Sequence, residues 1–464
     1  MTNAQIRTKP VLRSEFCKGC GRCIESCPKD CISAGSEVHA VSGLVPVVLR
    51  LDECNGCPLC VQACPEPYGL MPAEVAAALE AADGLRIGQP RPPVTEEIPA
   101  ARMALAEVRP LVLKGTHAAA VGALLAGCRH FFGYPITPST EGAELMAQLL
   151  PVLGGHFLQA PSEVATVNML YGCGGAGVPA MTFTSSPGFS LMLEGISYMI
   201  GAEVPGVFVE VMRAGPGLGN IGPEQADLKL ACRGLGHGNT RAIVLAPATP
   251  QEMLDFTALA FELSFRYRNP TIVLADAYLG QMTGRVVLPR ELARPGVPAW
   301  AVRGDAAHRR NLITSILLSE LDQEAHNVRL IQKYARMSDA EQRADLFCCQ
   351  DAEVLVVAAN TPARMAKGAV RTLRAAGVAA GLFRPQTIWP FPIRHLLPLL
   401  GRARLIVVVE ASDGQLEDEL RLALSHAGAS AEIQHVRRYG GMMPSQAEIV
   451  GAIRDALPRK AVVA

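Results

Sequence analysis

Aromatic residues are scarce in this 464-residue chain, at 5%, and its charges cancel, with 43 Lys and Arg against 43 Asp and Glu. The first scarcity leaves few rings for nucleic-acid bases to stack on. The second removes the basic excess that a phosphate backbone or an anionic membrane surface attracts. No apolar run reaches the ~18 residues of a membrane-crossing helix, and the N-terminus lacks the charged-then-apolar texture of a secretory leader. We therefore expect no nucleic-acid partner, no membrane partner and a reducing, cytoplasmic setting. In that setting the 14 cysteines read as metal ligands and free thiols, not disulfides.

Hydrophobic residues, by contrast, make up 49% of the sequence, enough for several cores, and the length exceeds what one ordinary core holds. The cysteines are uneven, nine of the 14 falling between Cys17 and Cys64. Eight of those nine form two copies of one spacing, Cys17-x2-Cys20-x2-Cys23-x3-Cys27-Pro28 and Cys54-x2-Cys57-x2-Cys60-x3-Cys64-Pro65. This C-x2-C-x2-C-x3-C-P run is that of two-cluster [4Fe–4S] ferredoxins, in which the fourth cysteine ligates the other cluster. The expected ligand sets are Cys17, Cys20, Cys23 and Cys64 for one cluster, and Cys54, Cys57, Cys60 and Cys27 for the second. A zinc site would show two pairs separated by a longer gap. Cys31, Cys128, Cys173, Cys232, Cys348 and Cys349 fall outside the pattern and read as ordinary thiols. Residues 1–71 are thus expected as a cluster domain, and the Ala-rich and Pro-rich residues 72–108, including Gly88-Gln-Pro-Arg-Pro-Pro-Val-Thr95, as a linker.

The texture then changes to short apolar strands alternating with helices, the pattern of a doubly wound parallel sheet. Strands are expected at Cys128–Tyr134, His156–Ala160, Ala180–Thr184, Gly206–Met212, Ala242–Ala246 and Thr271–Ala275. Helices are expected at Glu141–Leu150, Ser162–Gly172, Phe189–Ile200 and Thr249–Tyr267, the last opened by a Thr cap and Pro250. This α/β domain is placed at 109–288, a connector at 289–350 and a smaller α/β domain at 351–464. Four loops follow strands of the first sheet at its carboxyl edge, where open α/β sheets bind ligands: Tyr134-Pro-Ile-Thr-Pro-Ser-Thr-Glu141, Pro161-Ser-Glu163, Thr184-Ser-Ser-Pro-Gly-Phe189 and Arg213-Ala-Gly-Pro-Gly-Leu-Gly-Asn220. Taken alone, Ser139 caps a helix, Glu163 is a helix-start glutamate favoured by the dipole, and Arg213 is a solvated loop arginine.

Taken in order, these motifs resemble the alpha subunit of 2-oxoacid:ferredoxin oxidoreductases, from about Lys114 through Tyr278 and less sharply to the C-terminus. The resemblance implies a pyrimidine-binding thiamine-diphosphate domain followed by a transketolase-C-terminal-like domain. It implies that Glu163 hydrogen-bonds N1′ of the aminopyrimidine, so that N4′ can remove the C2 proton. Pro135 and Ile136 would line the cofactor, Thr137 would lie near the substrate oxygens, and Arg213 would pair with the 2-oxoacid carboxylate, work suited to a planar two-pronged donor.

The Gly-Asp-Gly of a diphosphate–Mg²⁺ site is absent; Gly304-Asp305 is followed by Ala, Ala and His. The family likeness therefore implies a beta-type partner that brings the diphosphate and Mg²⁺, an accompanying gamma-type subunit, coenzyme A as co-substrate, and ferredoxin or another redox acceptor. The reaction implied is oxidative decarboxylation of a 2-oxoacid to an acyl-CoA and CO₂. Gly215-Pro-Gly-Leu-Gly-Asn220 replaces a Gly-Pro-Ser-Thr-Gly common in pyruvate- and 2-oxoglutarate-type relatives, and its apolar Leu218 suits a branched-chain substrate. A 2-oxoglutarate- or aryl-2-oxoacid-specific enzyme, and a non-catalytic electron-transfer adaptor, are the alternatives.

Overall fold

The computed structural model describes residues 8–40, 42–66, 68–81 and 100–457, so the Pro-rich stretch from Gly88 to Thr95 lies outside the described residues. The chain divides into two compact units, Met1–Pro92 with Ile316–Arg329, and Pro93–Ser315 with Leu330–Ala464.

The first unit is built from a repeated pattern. A short strand (Pro10–Leu12), a 3-10 turn (Ser14–Phe16), the first cysteine run, a one-turn helix (Arg22–Glu25) and a strand (Ile32–Ala34) form one half. The other half repeats it with Val47–Leu49, Leu51–Glu53, the second run, Leu59–Ala63 and Leu70–Pro72. The halves interlock, because the first strand of each pairs antiparallel with the last strand of the other. Their apolar core is small, centred on Cys23, Ile32, Val47, Cys60 and Leu70. A core of this size rarely supports a fold without bound metal.

In the second unit a seven-stranded sheet runs in the order Thr387–Trp389, Ile243–Leu245, Pro270–Asp276, Gly206–Met212, Ala180–Thr184, His130–Gly133, His156–Gln159. Six strands are parallel and the Thr387–Trp389 edge is antiparallel. The central strands are buried along their whole length, which is why they read as continuous apolar runs with no alternation. Helices cover both faces. Pro250–Tyr267 opens as its residues dictate, with the Thr249 hydroxyl accepting from the Glu252 amide at 3.1 Å and proline at the first turn.

A second sheet of five strands follows, in the order Ala344–Phe347, Ala380–Pro385, Val354–Val357, Leu405–Glu410, Ile433–Arg437, with only the first antiparallel. The segment 289–350, expected as a connector, holds a strand at Glu291–Pro295 paired with Ala100–Ala104, a long helix at Glu320–Ala340, and the edge strand Ala344–Phe347 of this second sheet. The smaller sheet therefore starts before residue 351. Conversely, Thr387–Trp389 leaves the smaller domain to pair with the larger sheet.

A buried polar seam ties these two sheets. Gln225 donates to the Ala359 carbonyl and the Asn360 side chain and accepts from the Ala411 amide. Asp276 accepts from the amide and hydroxyl of Thr361, each at 2.8 Å. Each such group is paired, as burial requires.

Candidate cluster site and candidate active site

In the first unit the cysteine thiols line two cavities. One is bounded by Cys27, Cys54, Cys57 and Cys60, with Cys31 beside them; the other by Cys17, Cys20, Cys23 and Cys64. Cys27, from the first run, thus lines the cavity of the second run, and Cys64 that of the first. Each cavity is lined by four thiols of the two runs, the number that a four-iron cube takes from its protein. Burial pushes the Cys23 thiol up to about 11, so a cation must replace its proton to make it a ligand. Backbone amides point at three sulfurs: Cys31 N to Cys27 Sγ at 3.2 Å, Gly56 N to Cys54 Sγ at 3.4 Å, Val47 N to Cys17 Sγ at 3.5 Å. Such bonds favour the extra negative charge of a reduced cluster. The first turn is tight: Gly19 has φ +64°, and a Cβ there would lie 2.3 Å from the Val45 carbonyl oxygen.

Iron analysis checks the crossed pairing. The expected content is about eight iron atoms per chain. Cys27→Ala should lose the cluster held by Cys54, Cys57 and Cys60 and keep the other, as read by electron paramagnetic resonance of the reduced protein. Loss of the cluster at Cys17, Cys20 and Cys23 would contradict the pairing.

The second constellation lies in the second unit, at the carboxyl edge of the seven-stranded sheet, where the four loops emerge from adjacent parallel strands. Its centre is the start of the helix Ser186–Gly201. Glu163, the first residue of helix Glu163–Gly175, is 5% exposed. Ser162 caps that helix, its hydroxyl accepting from the Ala165 amide at 3.2 Å. No hydrogen bond or ion pair reaches the Glu163 carboxylate from any described residue. Gly188 makes room for it: a Cβ at 188 would lie 2.5 Å from Glu163 Oε1 and 2.5 Å from Thr184 Oγ1. Two residues earlier, Ser186 Oγ accepts the Arg213 amide proton at 3.0 Å and donates to the Arg213 carbonyl oxygen at 3.2 Å.

The Arg213 guanidinium reaches two carbonyls, Nη1 donating to Thr137 O at 2.9 Å and Nη2 to Leu218 O at 3.2 Å. Thr137, which precedes Pro138 in a cis peptide, and Pro135 are exposed, and Ile136 is half-buried. Contacts therefore run from Glu163 through Gly188 and Ser186 to Arg213 and Thr137. Ser139 does not cap the following helix; its hydroxyl donates to the Ile136 carbonyl at 2.8 Å and folds the 135–139 loop back on itself.

Buried polar atoms without a partner concentrate here. Among the described residues they include Thr184 Oγ1, Ser185 Oγ, both Glu210 carboxyl oxygens and Arg213 Nε. Orphaned buried groups are costly and mark places where a ligand completes the bonding. Sequence reasoning placed Ser186 and Gly188 in the Thr184–Phe189 loop without giving either a role, and overlooked Glu210. The available signal was the glutamate inside the apolar run Gly206–Met212.

Comparison with known proteins shows the family. Residues 121–291 match the family model described as pyruvate flavodoxin/ferredoxin oxidoreductase, thiamine diP-binding; residues 352–449 match pyruvate:ferredoxin oxidoreductase core domain II; residues 16–67 match a 4Fe-4S dicluster domain. The ketoisovalerate oxidoreductase subunit VorB of Methanothermobacter thermautotrophicus is 44% identical over 346 residues, 74% of this chain and 97% of its own length. The chain belongs to the 2-oxoacid:ferredoxin oxidoreductases. Another subunit of that family, the 2-oxoglutarate synthase subunit KorA of Archaeoglobus fulgidus, is 38% identical over 67% of this chain and 90% of its own. A solved family structure, the 2-oxoglutarate:ferredoxin oxidoreductase from Magnetococcus marinus with 2-oxoglutarate, coenzyme A and succinyl-CoA bound, superposes with a TM-score of 0.67 at 25% identity. It covers 75% of this chain, which spans 65% of that one. As an alpha-type 2-oxoacid:ferredoxin oxidoreductase chain, this one carries its 4Fe-4S dicluster domain fused at the N-terminal side of the thiamine-diphosphate-binding domain. Its curated relatives are subunits of larger enzymes. Among the described residues no helix is long and apolar enough to cross a membrane.

Proposed function

We propose that this chain is the alpha-type subunit of a branched-chain 2-oxoacid:ferredoxin oxidoreductase, converting a 2-oxoacid and coenzyme A to an acyl-CoA and CO₂, with electrons leaving through its own two [4Fe–4S] clusters. The observation that carries this reading is the Glu163 carboxylate, buried, free of protein donors, and linked through the start of one helix to Arg213 and Thr137. An unpaired buried carboxylate costs several kcal/mol, which a ligand N–H offsets. The site therefore suits a thiamine aminopyrimidine, whose N1′ proton would meet Glu163. When bound, the thiamine supplies the carbon nucleophile and electron sink for decarboxylation. Glu163 holds the proton at N1′, Arg213 pairs with the substrate carboxylate, Thr137 lies beside the keto oxygen, and Pro135 and Ile136 wall the ring.

A beta-type subunit would bring the diphosphate and Mg²⁺, with a gamma-type subunit beside it and ferredoxin or another redox protein as acceptor. The chain alone would then be inactive. A cytoplasmic setting suits the free thiols of the cluster domain.

For the substrate, the supporting features are Leu218, 82% exposed beside Arg213, and Ile221, also exposed. Asn220 donates to the Gly440 carbonyl at 3.1 Å, bringing the segment after Arg437 and Arg438 against this loop. Both arginines are already engaged, Arg437 by Glu417 and Asp413 and Arg438 by Glu448. Neither is free for the second carboxylate of 2-oxoglutarate. VorB, at 44% identity, is by name a ketoisovalerate enzyme.

Anaerobic viologen reduction by the co-purified complex tests this, with oxoisovalerate, pyruvate, 2-oxoglutarate and phenylglyoxylate in turn. Oxoisovalerate is expected to give the highest kcat/KM; preference for 2-oxoglutarate would sink the branched-chain reading. Arg213→Ala is expected to raise KM for the 2-oxoacid by about a hundredfold, as loss of a charge-assisted pair should, leaving coenzyme A affinity unchanged. An unaltered KM would remove Arg213 from substrate binding.

A further inference from the structure

Three consecutive carbonyl groups of the loop that carries Thr137 are each held by a different part of the chain. The Ile136 carbonyl accepts from the Ser139 amide at 3.0 Å and from the Ser139 hydroxyl at 2.8 Å. The Thr137 carbonyl accepts from Arg213 Nη1 at 2.9 Å. The Pro138 carbonyl accepts from Gln281 Nε2 at 3.2 Å. The first set closes the turn on itself, and the second comes from another loop of the site. The third ties the loop to a side chain 143 residues further along, outside the four loops of the sheet edge.

Gln281 is a fixed point. It ends the short helix Ala277–Gln281, which Asp276 caps by accepting the Leu279 amide at 2.9 Å. That helix sits tightly against Gly115, where a Cβ would lie 2.2 Å from the Leu279 carbonyl oxygen. The side-chain amide of Gln281 is oriented as well. Lys114 Nζ donates to Gln281 Oε1 at 3.4 Å and to both Glu141 carboxylate oxygens, at 2.8 and 2.9 Å. A reversed amide would set its NH2 against the Lys114 ammonium and its oxygen against the Pro138 carbonyl. The cation therefore dictates that the NH2 faces Pro138. Lys114 is held in turn by its strand, in register with Thr283 two residues beyond Gln281. Glu141 lies in the first turn of the helix Thr140–Val152 that follows the loop, so one ion pair holds the end of the loop and orients the amide that holds its middle.

We propose that Gln281, oriented by the Lys114–Glu141 ion pair, is a positioning residue that fixes the Thr137 hydroxyl beside the keto oxygen of the 2-oxoacid. This rests on the reading of Thr137 as a substrate residue. Thr137 is exposed, so its hydroxyl takes its place from the backbone that carries it. With Arg213 on one carbonyl and Gln281 on the next, that backbone is held from both sides. A donor ordered before the reaction stabilises charge developing on an oxygen better than one that must first be ordered. Gln281 touches neither substrate nor cofactor in this scheme. It is exposed, so replacing it should leave the fold intact.

Variants of the assembled complex separate donation to Pro138 from packing. Gln281→Leu removes both bonds, whereas Gln281→Glu keeps an acceptor for Lys114 and has no donor for the Pro138 carbonyl. Both are expected to lower kcat about tenfold, the loss that a sub-ångström misplacement brings. KM for the 2-oxoacid should stay within about twofold, because Arg213 still meets the substrate carboxylate. Hydrogen–deuterium exchange without cofactor or substrate gives a second readout. The Ser139 amide, bonded to the Ile136 carbonyl, should exchange faster in both variants. A double-mutant cycle fixes the route: Thr137→Val is expected to lower kcat about a hundredfold, and adding Gln281→Leu to it should cost nothing more. Wild-type kcat or unchanged Ser139 exchange in either Gln281 variant, or losses that multiply in the double variant, would overturn the positioning role. If Thr137→Val itself turns over at the wild-type rate, the substrate reading of Thr137 fails and the positioning role falls with it.

Discussion

Glu163→Ala is expected to lower 2-oxoacid- and coenzyme-A-dependent viologen reduction about a thousandfold, in the range lost with an acid–base group, with cluster content and subunit assembly intact. The carboxylate makes no hydrogen bond within the described protein, so its removal orphans no donor and should cost little stability. Its burial at 5% exposure instead makes it costly to keep without a ligand. Glu163→Gln keeps the shape but not the anion, and is expected to lose nearly as much. If Glu163→Ala turns over at the wild-type rate, the activating carboxylate comes from elsewhere, and the electron-transfer adaptor becomes the better reading.

A second large effect is expected at Gly188, where adding one carbon should separate stability from activity. Alanine is favoured over glycine inside a helix by up to about 1 kcal/mol, and Gly188 lies within Ser186–Gly201. Its new Cβ would lie 2.5 Å from Glu163 Oε1, 2.5 Å from Thr184 Oγ1 and 3.0 Å from Glu163 Cγ. Both the Glu163 carboxylate and the Thr184 hydroxyl must give way, and both are ends of side chains that can rotate, so the fold survives and the carboxylate is displaced. A misplacement of ~1 Å can cost a hundredfold in rate, and that is the loss expected in kcat for Gly188→Ala, with the thermal midpoint unchanged or raised. Wild-type activity in this variant would show that Glu163 has no fixed place to keep.

Much of this layout was legible in the sequence where burial and spacing write directly into residue types. The central parallel strands stood out because both their faces are covered, which favours long apolar runs; Ala180–Thr184 and Gly206–Met212 begin and end where the runs do. The four loops could be placed on one edge because parallel strands leave no other arrangement. Elements whose partners are distant in sequence were not legible. Thr387–Trp389 is three residues long and takes its pairing from Ile243–Leu245, so nothing local marks it as part of the larger sheet. Ala344–Phe347 is an edge strand in a charged stretch read as connector. Within the site, the role of Gly188 was missed for the same reason: it matters through its close approach to Glu163, a residue many positions away. Ser139 shows the converse error, since a residue well suited to capping spends its hydroxyl on the Ile136 carbonyl.

The most direct measurement is the exchange of the thiamine C2 proton for deuterium, followed in the assembled complex without any 2-oxoacid. It reads activation of the cofactor alone, upstream of substrate choice, electron transfer and coenzyme A. Wild type is expected to exchange about a hundredfold faster than Glu163→Gln, since N4′ can take the C2 proton only while the anion holds N1′. Equal rates in the two proteins would contradict the assignment of Glu163 and, with it, the place of this chain at the heart of the active site.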